Sequence, residues 1–299
     1  MSNQSLNLLV GDNAFHGISH LSQKRARTRS TETDLSSTEY AARLVKLALQ
    51  NGATGFMFSV SEITLSILKQ LDQEKPELYA IVPYAYEYVR LATQVGGVAG
   101  LAKQISKQIM LSRNIFNVAP NLMGIMRAKP SAFLKTYLTY EISRIKSAMG
   151  KDANLKAVLL HETITDMALA LNLDWFFKSY IDFFSKSKIK PGLETRNFPF
   201  LIQKLKDWNI NMGKIVITAS FNKAGFQMNP SRTYCERALE QASEAEVIAM
   251  STLAAGYLKP SEAIPYLKTL PGITHVVVGV SKEYHAIETF SQLSLALRT

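Results

Sequence analysis

The chain has a single cysteine, Cys235, in 299 residues. An intramolecular disulfide is excluded, and so is a zinc knuckle built on cysteines. A reducing, cytoplasmic setting is the expectation. Long apolar runs are missing too. No window reaches the roughly 20 apolar residues that span a bilayer, so no membrane span is expected. Residues 1–9 lack the basic start and extended apolar stretch of a secretion signal. Negative charge is the scarcer sign, with 24 acidic against 34 basic residues and a formal net charge of +10. The excess is spread out, and its densest stretch is Lys24-Arg25-Ala26-Arg27-Thr28-Arg29. No base-reading motif or run of stacking aromatics accompanies it, so nucleic acid is not the expected partner. A small anionic substrate is. Linkers and internal repeats are lacking as well, and the Gly-rich spacer at 96–100 is too short to separate two domains. Residues 1–299 therefore read as one domain, and 47% apolar content suffices for one large core.

What is present is a rhythm. Eight short apolar runs occupy 6–10, 55–60, 78–83, 155–160, 190–193, 214–221, 246–250 and 274–280. Short apolar runs bounded by turns suit strands buried on both faces. Helix-like patterns lie between most of them, at 38–51, 61–71, 200–208, 231–242, 261–270 and 282–297. Strands alternating with helices imply right-handed βα units and a parallel sheet. Eight such units imply closure, so the fold class is α/β, a (β/α)₈ TIM barrel. The one interruption is 85–150, between the third and fourth strands. It reads as a helical insertion, with candidate helices at 101–110, 115–126 and 132–149 broken by Pro120 and Pro130. Its methionines suit a lid or a contact between copies in a homo-oligomer, and an extra helical layer fits equally.

In such a barrel the C-terminal ends of all strands face one mouth, where residues remote in sequence converge. Polar clusters follow several apolar runs here. Gly11-Asp12-Asn13-Ala14-Phe15-His16-Gly17 follows the first, which makes Asp12 and Asn13 substrate-binding candidates and His16 a catalytic one. His16 and His20 are four apart, but their glycines suggest a loop, and no His-Glu-x-x-His metal signature exists. In the fourth strand, alternation puts Ala157, Leu159 and His161 on one face, so His161 tops the core and meets the mouth. Its ordinary pKa near 6.5 suits proton transfer, although a buried structural histidine fits the same position. Glu194 and Arg196 alternate at the end of the fifth strand. Glu194 suits a general base, and Arg196 a bidentate holder of carboxylate or phosphate, although an ion pair between the two fits the same letters. Glu62 is a weaker carboxylate candidate. Asn222, Lys223 and Arg232 belong to a polar tract after the sixth strand that reads as a binding loop. Lys223 would reach a carbonyl as a Schiff base only if desolvated, and a solvated charge is the expectation. Ser281 begins the last loop, where barrels often hold phosphate near a helix N-terminus, and it also suits an N-cap.

Residues 155–297 resemble the aldo/keto reductase barrel. Leu159-Leu160-His161 looks like that family's fourth-strand histidine. Ile248-Ala249-Met250-Ser251 through Gly256 looks like its seventh-strand segment. Residues 276–281 and 282–297 look like its final strand and cofactor-binding helix. The resemblance implies the closed barrel and brings NADPH into view. That family places an Asp and a Tyr around the second strand, a Lys on the third and a His on the fourth. Here Gly55-Phe56-Met57-Phe58-Ser59-Val60-Ser61 has neither Asp nor Tyr, and Tyr79-Ala80-Ile81-Val82-Pro83 has no Lys. Only His161 matches, while Tyr84, Tyr86 and Tyr88 follow the third strand.

The residues favour a non-redox lyase or isomerase. It would use His161, Glu194 and His16 on a small anionic oxygenated metabolite, phosphorylated ones included, with no cofactor. Three alternatives stand. One is a diverged NADPH-dependent reductase in which Tyr84 or Tyr86 replaces the usual acid. Another is a hydrolase or lyase with a divalent metal on His16, His161 and Glu194. The last is a catalytically inert barrel that binds a ligand or partner.

Overall fold

The computed structural model describes residues 5–16, 37–84, 130–150 and 152–297. Eight parallel strands close in sequence order: β1 (Asn7–Gly11), β2 (Gly55–Ser59), β3 (Glu77–Val82), β4 (Leu155–Leu160), β5 (Lys190–Glu194), β6 (Val216–Ser220), β7 (Glu246–Met250) and β8 (Ile273–Gly279). Pairing of β1 with β8 from Asn7↔His275 to Gly11↔Gly279 completes the ring. Every apolar run of the sequence became a strand.

The helices are α1 (Thr38–Gln50), α2 (Glu62–Lys69), α3 (Pro130–Met149), α4 (Glu162–Ala170), α5 (Asp174–Phe183), α6 (Phe198–Asp207), α7 (Arg232–Gln241), α8 (Pro260–Thr269) and α9 (Glu283–Leu297). α4 and α5 both lie between β4 and β5, and no helix was expected there. The run Trp175-Phe176-Phe177 in α5 has weak intrinsic helix propensity, and tertiary packing overrides it. Phe177 and Tyr180 are fully buried. The Tyr180 hydroxyl donates to the Val158 carbonyl at 2.5 Å and accepts from the Gly192 N–H at 3.3 Å, which pins α5 across β4 and β5.

The expected helix at 132–149 is present as α3. It packs against α2 and α5. Arg144 of α3 pairs with Glu141 at 2.9 Å and with Glu62 of α2 at 2.6 Å. The expected helices at 101–110 and 115–126 lie outside the described residues, as do His20, the basic stretch at 24–29, Tyr86 and Tyr88.

Period-two alternation divides the strand side chains. Leu9, Met57, Tyr79, Ile81, Ala157, Leu159, Val216, Ile248, Met250 and Val277 fill the barrel interior. The opposite faces pack beneath the helices in a larger layer. At the N-terminal end, the interior is closed by polar groups that satisfy one another. The buried His275 ring meets the Tyr79 hydroxyl at 3.0 Å and the Thr274 hydroxyl at 2.9 Å. Glu246 stands 3.5 Å from it and pairs with Lys190 at 2.6 Å. Close approach also has a backbone component. A Cβ on Gly55 would lie 2.4 Å from the Glu77 carbonyl oxygen of the neighbouring strand.

Two stability outcomes follow. Gly55→Ala forces β2 away from β3 and should cost about 1–3 kcal/mol, read as a lowered urea midpoint with an unchanged slope. Burial lowers the His275 pKa, against the opposing pull of Glu246 and Glu77. The unfolded chain therefore binds this proton more readily than the folded one. The stability from a neutral His275 is complete above about pH 6.5 and is lost as pH falls toward the depressed folded value. Thermal unfolding of wild type should weaken with acid more steeply than that of His275→Gln; parallel curves would show that His275 carries no such linkage.

Candidate functional site

A cavity of about 850 Å³ opens at the C-terminal ends of the strands. It has an inner end over the barrel core and an outer lobe between the loops that follow β7 and β8. Of the sequence candidates, Asp12, Asn13, His161, Glu194, Arg196 and Ser281 line it. Glu162, Ser59, Tyr84 and Thr252 line it too.

Asp12 follows β1 directly and is 3% exposed. Its Oδ2 accepts from the Ser59 N–H at 2.7 Å and lies 3.0 Å from His16 Nε2. The short 3₁₀ turn Asn13–His16 brings that ring back onto the carboxylate. His16 does not line the cavity. Its side chain is buried behind Asp12, with its ring 4.7 Å from that of Tyr84. Asp12 is thus the cavity-facing group and His16 its support. Ser59 reaches the cavity by alternation from Met57, both on the interior face of β2.

His161 ends β4 in line with Ala157 and Leu159 and caps α4, its Nδ1 accepting from the Thr163 N–H at 3.2 Å. The neutral ring then carries its proton on Nε2. Burial lowers its pKa, while Glu162 works in the opposite direction. Glu162, the first residue of α4, turns into the mouth. Its N–H donates to Glu194 Oε2 at 3.2 Å, and its carboxylate pairs with the Arg196 guanidinium. Arg196 also donates to the Gln227 side-chain oxygen. That oxygen accepts from Ser251 Oγ at 3.2 Å, and Ser220 Oγ donates to Ser251 Oγ, also at 3.2 Å. One chain of contacts therefore links α4, β5, the loop after β6, and β7.

Glu194 is the last residue of β5 and is 7% exposed. Burial and the nearby Glu162 charge push its pKa up to about 8, against the pull of Arg196. Asp166 of α4 braces the same corner from behind, accepting from Thr195 Oγ1 at 2.6 Å and from the Arg196 N–H at 3.0 Å. Burial raises its pKa as well.

The remaining candidates stand elsewhere. Asn222 is fully buried and closes its own loop, donating to the Phe226 carbonyl and accepting the Phe226 N–H, both at 2.8 Å. Lys223 is exposed, and its carbonyl accepts from Arg232 Nη1 at 2.7 Å. Arg232 pairs along α7 with Glu236 at 3.3 Å. None of the three lines the cavity. Glu62 is likewise outside it, paired with Arg144. Among the described residues, no group of three His, Cys, Asp or Glu side chains is placed to hold a metal ion.

The outer lobe runs between Thr252–Ser261 on one side and Ser281, His285, Thr289 and Gln292 of the last unit on the other. Four residues of the β7 loop adopt left-handed backbone: Ser251, Ala254, Ala255 and Gly256. Thr252 and Ser281 are 2% and 6% exposed and line the lobe, and neither hydroxyl has a hydrogen-bond partner among the described residues. The first turns of α8 and α9 face the same space. Buried hydroxyls beside helix N-termini suit an oxyanion.

No family model and no curated protein matches the chain. Solved structures do. A Pseudomonas aeruginosa protein assigned to the aldo-keto reductases superposes with a TM-score of 0.58 at 13% identity, covering 98% of this chain and 91% of that one. An aldo-keto reductase from Klebsiella pneumoniae, in complex with NADPH, superposes with a TM-score of 0.50 at 12% identity, covering 98% and 90%. At such identities the likeness is one of architecture: the chain has the fold of a diverged aldo-keto reductase-like barrel.

Proposed function

We propose that the chain is a non-redox lyase or isomerase acting on a small, anionic, oxygenated metabolite, phosphorylated compounds included. One observation carries this reading. A buried carboxyl whose pKa is raised by burial and by the Glu162 charge, Glu194, shares a cavity with Asp12, held at Oδ2 by the Ser59 N–H and His16, and with His161. Carboxyl groups in such different surroundings suit the acid and base roles of proton transfer at a carbon centre. Glu194 is the general acid in this reading. Asp12 is the base, with His16 as its positioning residue, and His161 Nε2–H is a donor to an oxygen on the substrate. The anionic group belongs in the outer lobe on Thr252, Ser281 and the α9 N-terminus. Arg196 is already engaged by Glu162 and Gln227, so it serves to position them. Lys223 and Arg232 contribute charge at long range only.

A nicotinamide-dependent reductase is the second reading, favoured by the outer lobe itself. Its hydroxyls and helix N-terminus fit a nucleotide phosphate. NADPH bound there would supply hydride, and Tyr84 is the phenol among the described lining residues. The two readings part on simple measurements. Incubation in deuterated water with phosphorylated and carboxylated carbonyl compounds should give carbon-bound deuterium, read by mass spectrometry. Glu194→Gln should lower that rate by about 10²-fold. The wild-type rate should fall as pH rises past about 8, where Glu194 gives up its proton, and the variant should lose that limb. Saturable NADPH binding without any exchange would replace this reading by the reductase.

A further inference from the structure

The geometry points to a subsite for a protonated amine at the inner end of the cavity, so that the substrate is an amine-bearing compound whose anionic group occupies the outer lobe. This deepens the proposed function and rests on it for the anionic end.

Three residues set the inner end, and each is more than nine-tenths buried. Asp12 is 3% exposed, Glu194 7% and Ser59 8%, and all three line the cavity. The hydrogen bonds of Asp12 go to Oδ2 and those of Glu194 to Oε2. Asp12 Oδ1, Glu194 Oε1 and Ser59 Oγ have no partner among the described residues. The Ser59 hydroxyl is a separate observation from the two acids. It comes from β2, and its own N–H holds Asp12, so it stands beside that carboxylate. All of these groups face the same cavity, as does His161.

Among the described residues no Lys or Arg side chain pairs with these oxygens, and His16 meets Asp12 at Oδ2. Arg196 lines the same cavity, and it is turned onto Glu162 and Gln227. An anionic group placed here would meet Asp12 without compensation, at a cost that burial increases. A neutral hydroxyl cannot balance the Asp12 carboxylate, whereas an ammonium brings three donors and the opposite charge.

Four sugars separate the two ends of the cavity: glucose, glucosamine and their 6-phosphates, titrated at pH 6.5, where the sugar amine is protonated. The amine should tighten binding about tenfold with or without phosphate, as a charge-assisted hydrogen-bond set does. Asp12→Asn should remove that gain. Ser59→Ala, which keeps the N–H on Asp12, should reduce it with the fold intact by circular dichroism. Neither change should alter the gain from phosphate, which Thr252→Val with Ser281→Ala should remove. An amine gain of zero, or one that survives both Asp12→Asn and Ser59→Ala, overturns the subsite, as does a failure of both amines to bind at millimolar concentration. Loss of the phosphate gain alone, with the amine gain kept, would count against the anionic end of the proposed function and leave the subsite standing.

Discussion

Closure of β1 onto β8 is the constraint on which the site depends. The two strands meet at the mouth as Gly11↔Gly279, a pair with no side chains above the sheet. Asp12 stands one residue beyond the first glycine and Ser281 two beyond the second. The inner end and the outer lobe of the cavity are therefore joined across bare backbone. The room is limited even there, because a Cβ on Gly11 would lie 3.2 Å from Val277 Cγ2. Were the sheet open at this seam, the acids over the core and the hydroxyls of the last two loops would not share a cavity.

The charge of the chain and the charge of the site run in opposite directions. The chain is strongly basic, yet among the described residues Asp12, Glu162 and Glu194 line the inner mouth, and the Arg196 guanidinium there is engaged by Glu162 and Gln227. Net charge describes the outer surface and long-range attraction. It says little about a pocket of a few side chains. The basic surface and the acidic inner end are compatible with a ligand that carries both signs.

The barrel was readable because buried parallel strands are apolar on both faces and so announce themselves as short runs. Alternation placed His161 and Glu194 at the mouth for the same reason. For Glu162, one residue after His161, alternation left two directions open, away from the mouth or into the loop; the chain turns into α4 there, and its side chain meets Arg196. Asn222 shows the converse. A polar residue after a strand looks like a ligand-binding group, but here it satisfies the backbone of its own loop. Ser59 was passed over as an ordinary small strand residue, although its place two beyond Met57 gave its direction. The outer hydroxyls of Thr252 and Ser281 were half visible, since only their loop positions could be read. His16 was legible as part of the first loop, but not as the residue behind Asp12, because a 3₁₀ turn rather than a strand sets its direction.

The polar seal at the opposite end has a kinetic meaning. Tyr79, His275 and Glu246, with Lys190 outside them, close the interior beneath the apolar layer. Among the described residues the barrel axis is therefore blocked from below, and exchange over the core takes place at the C-terminal face, where the loops after β7 and β8 stand.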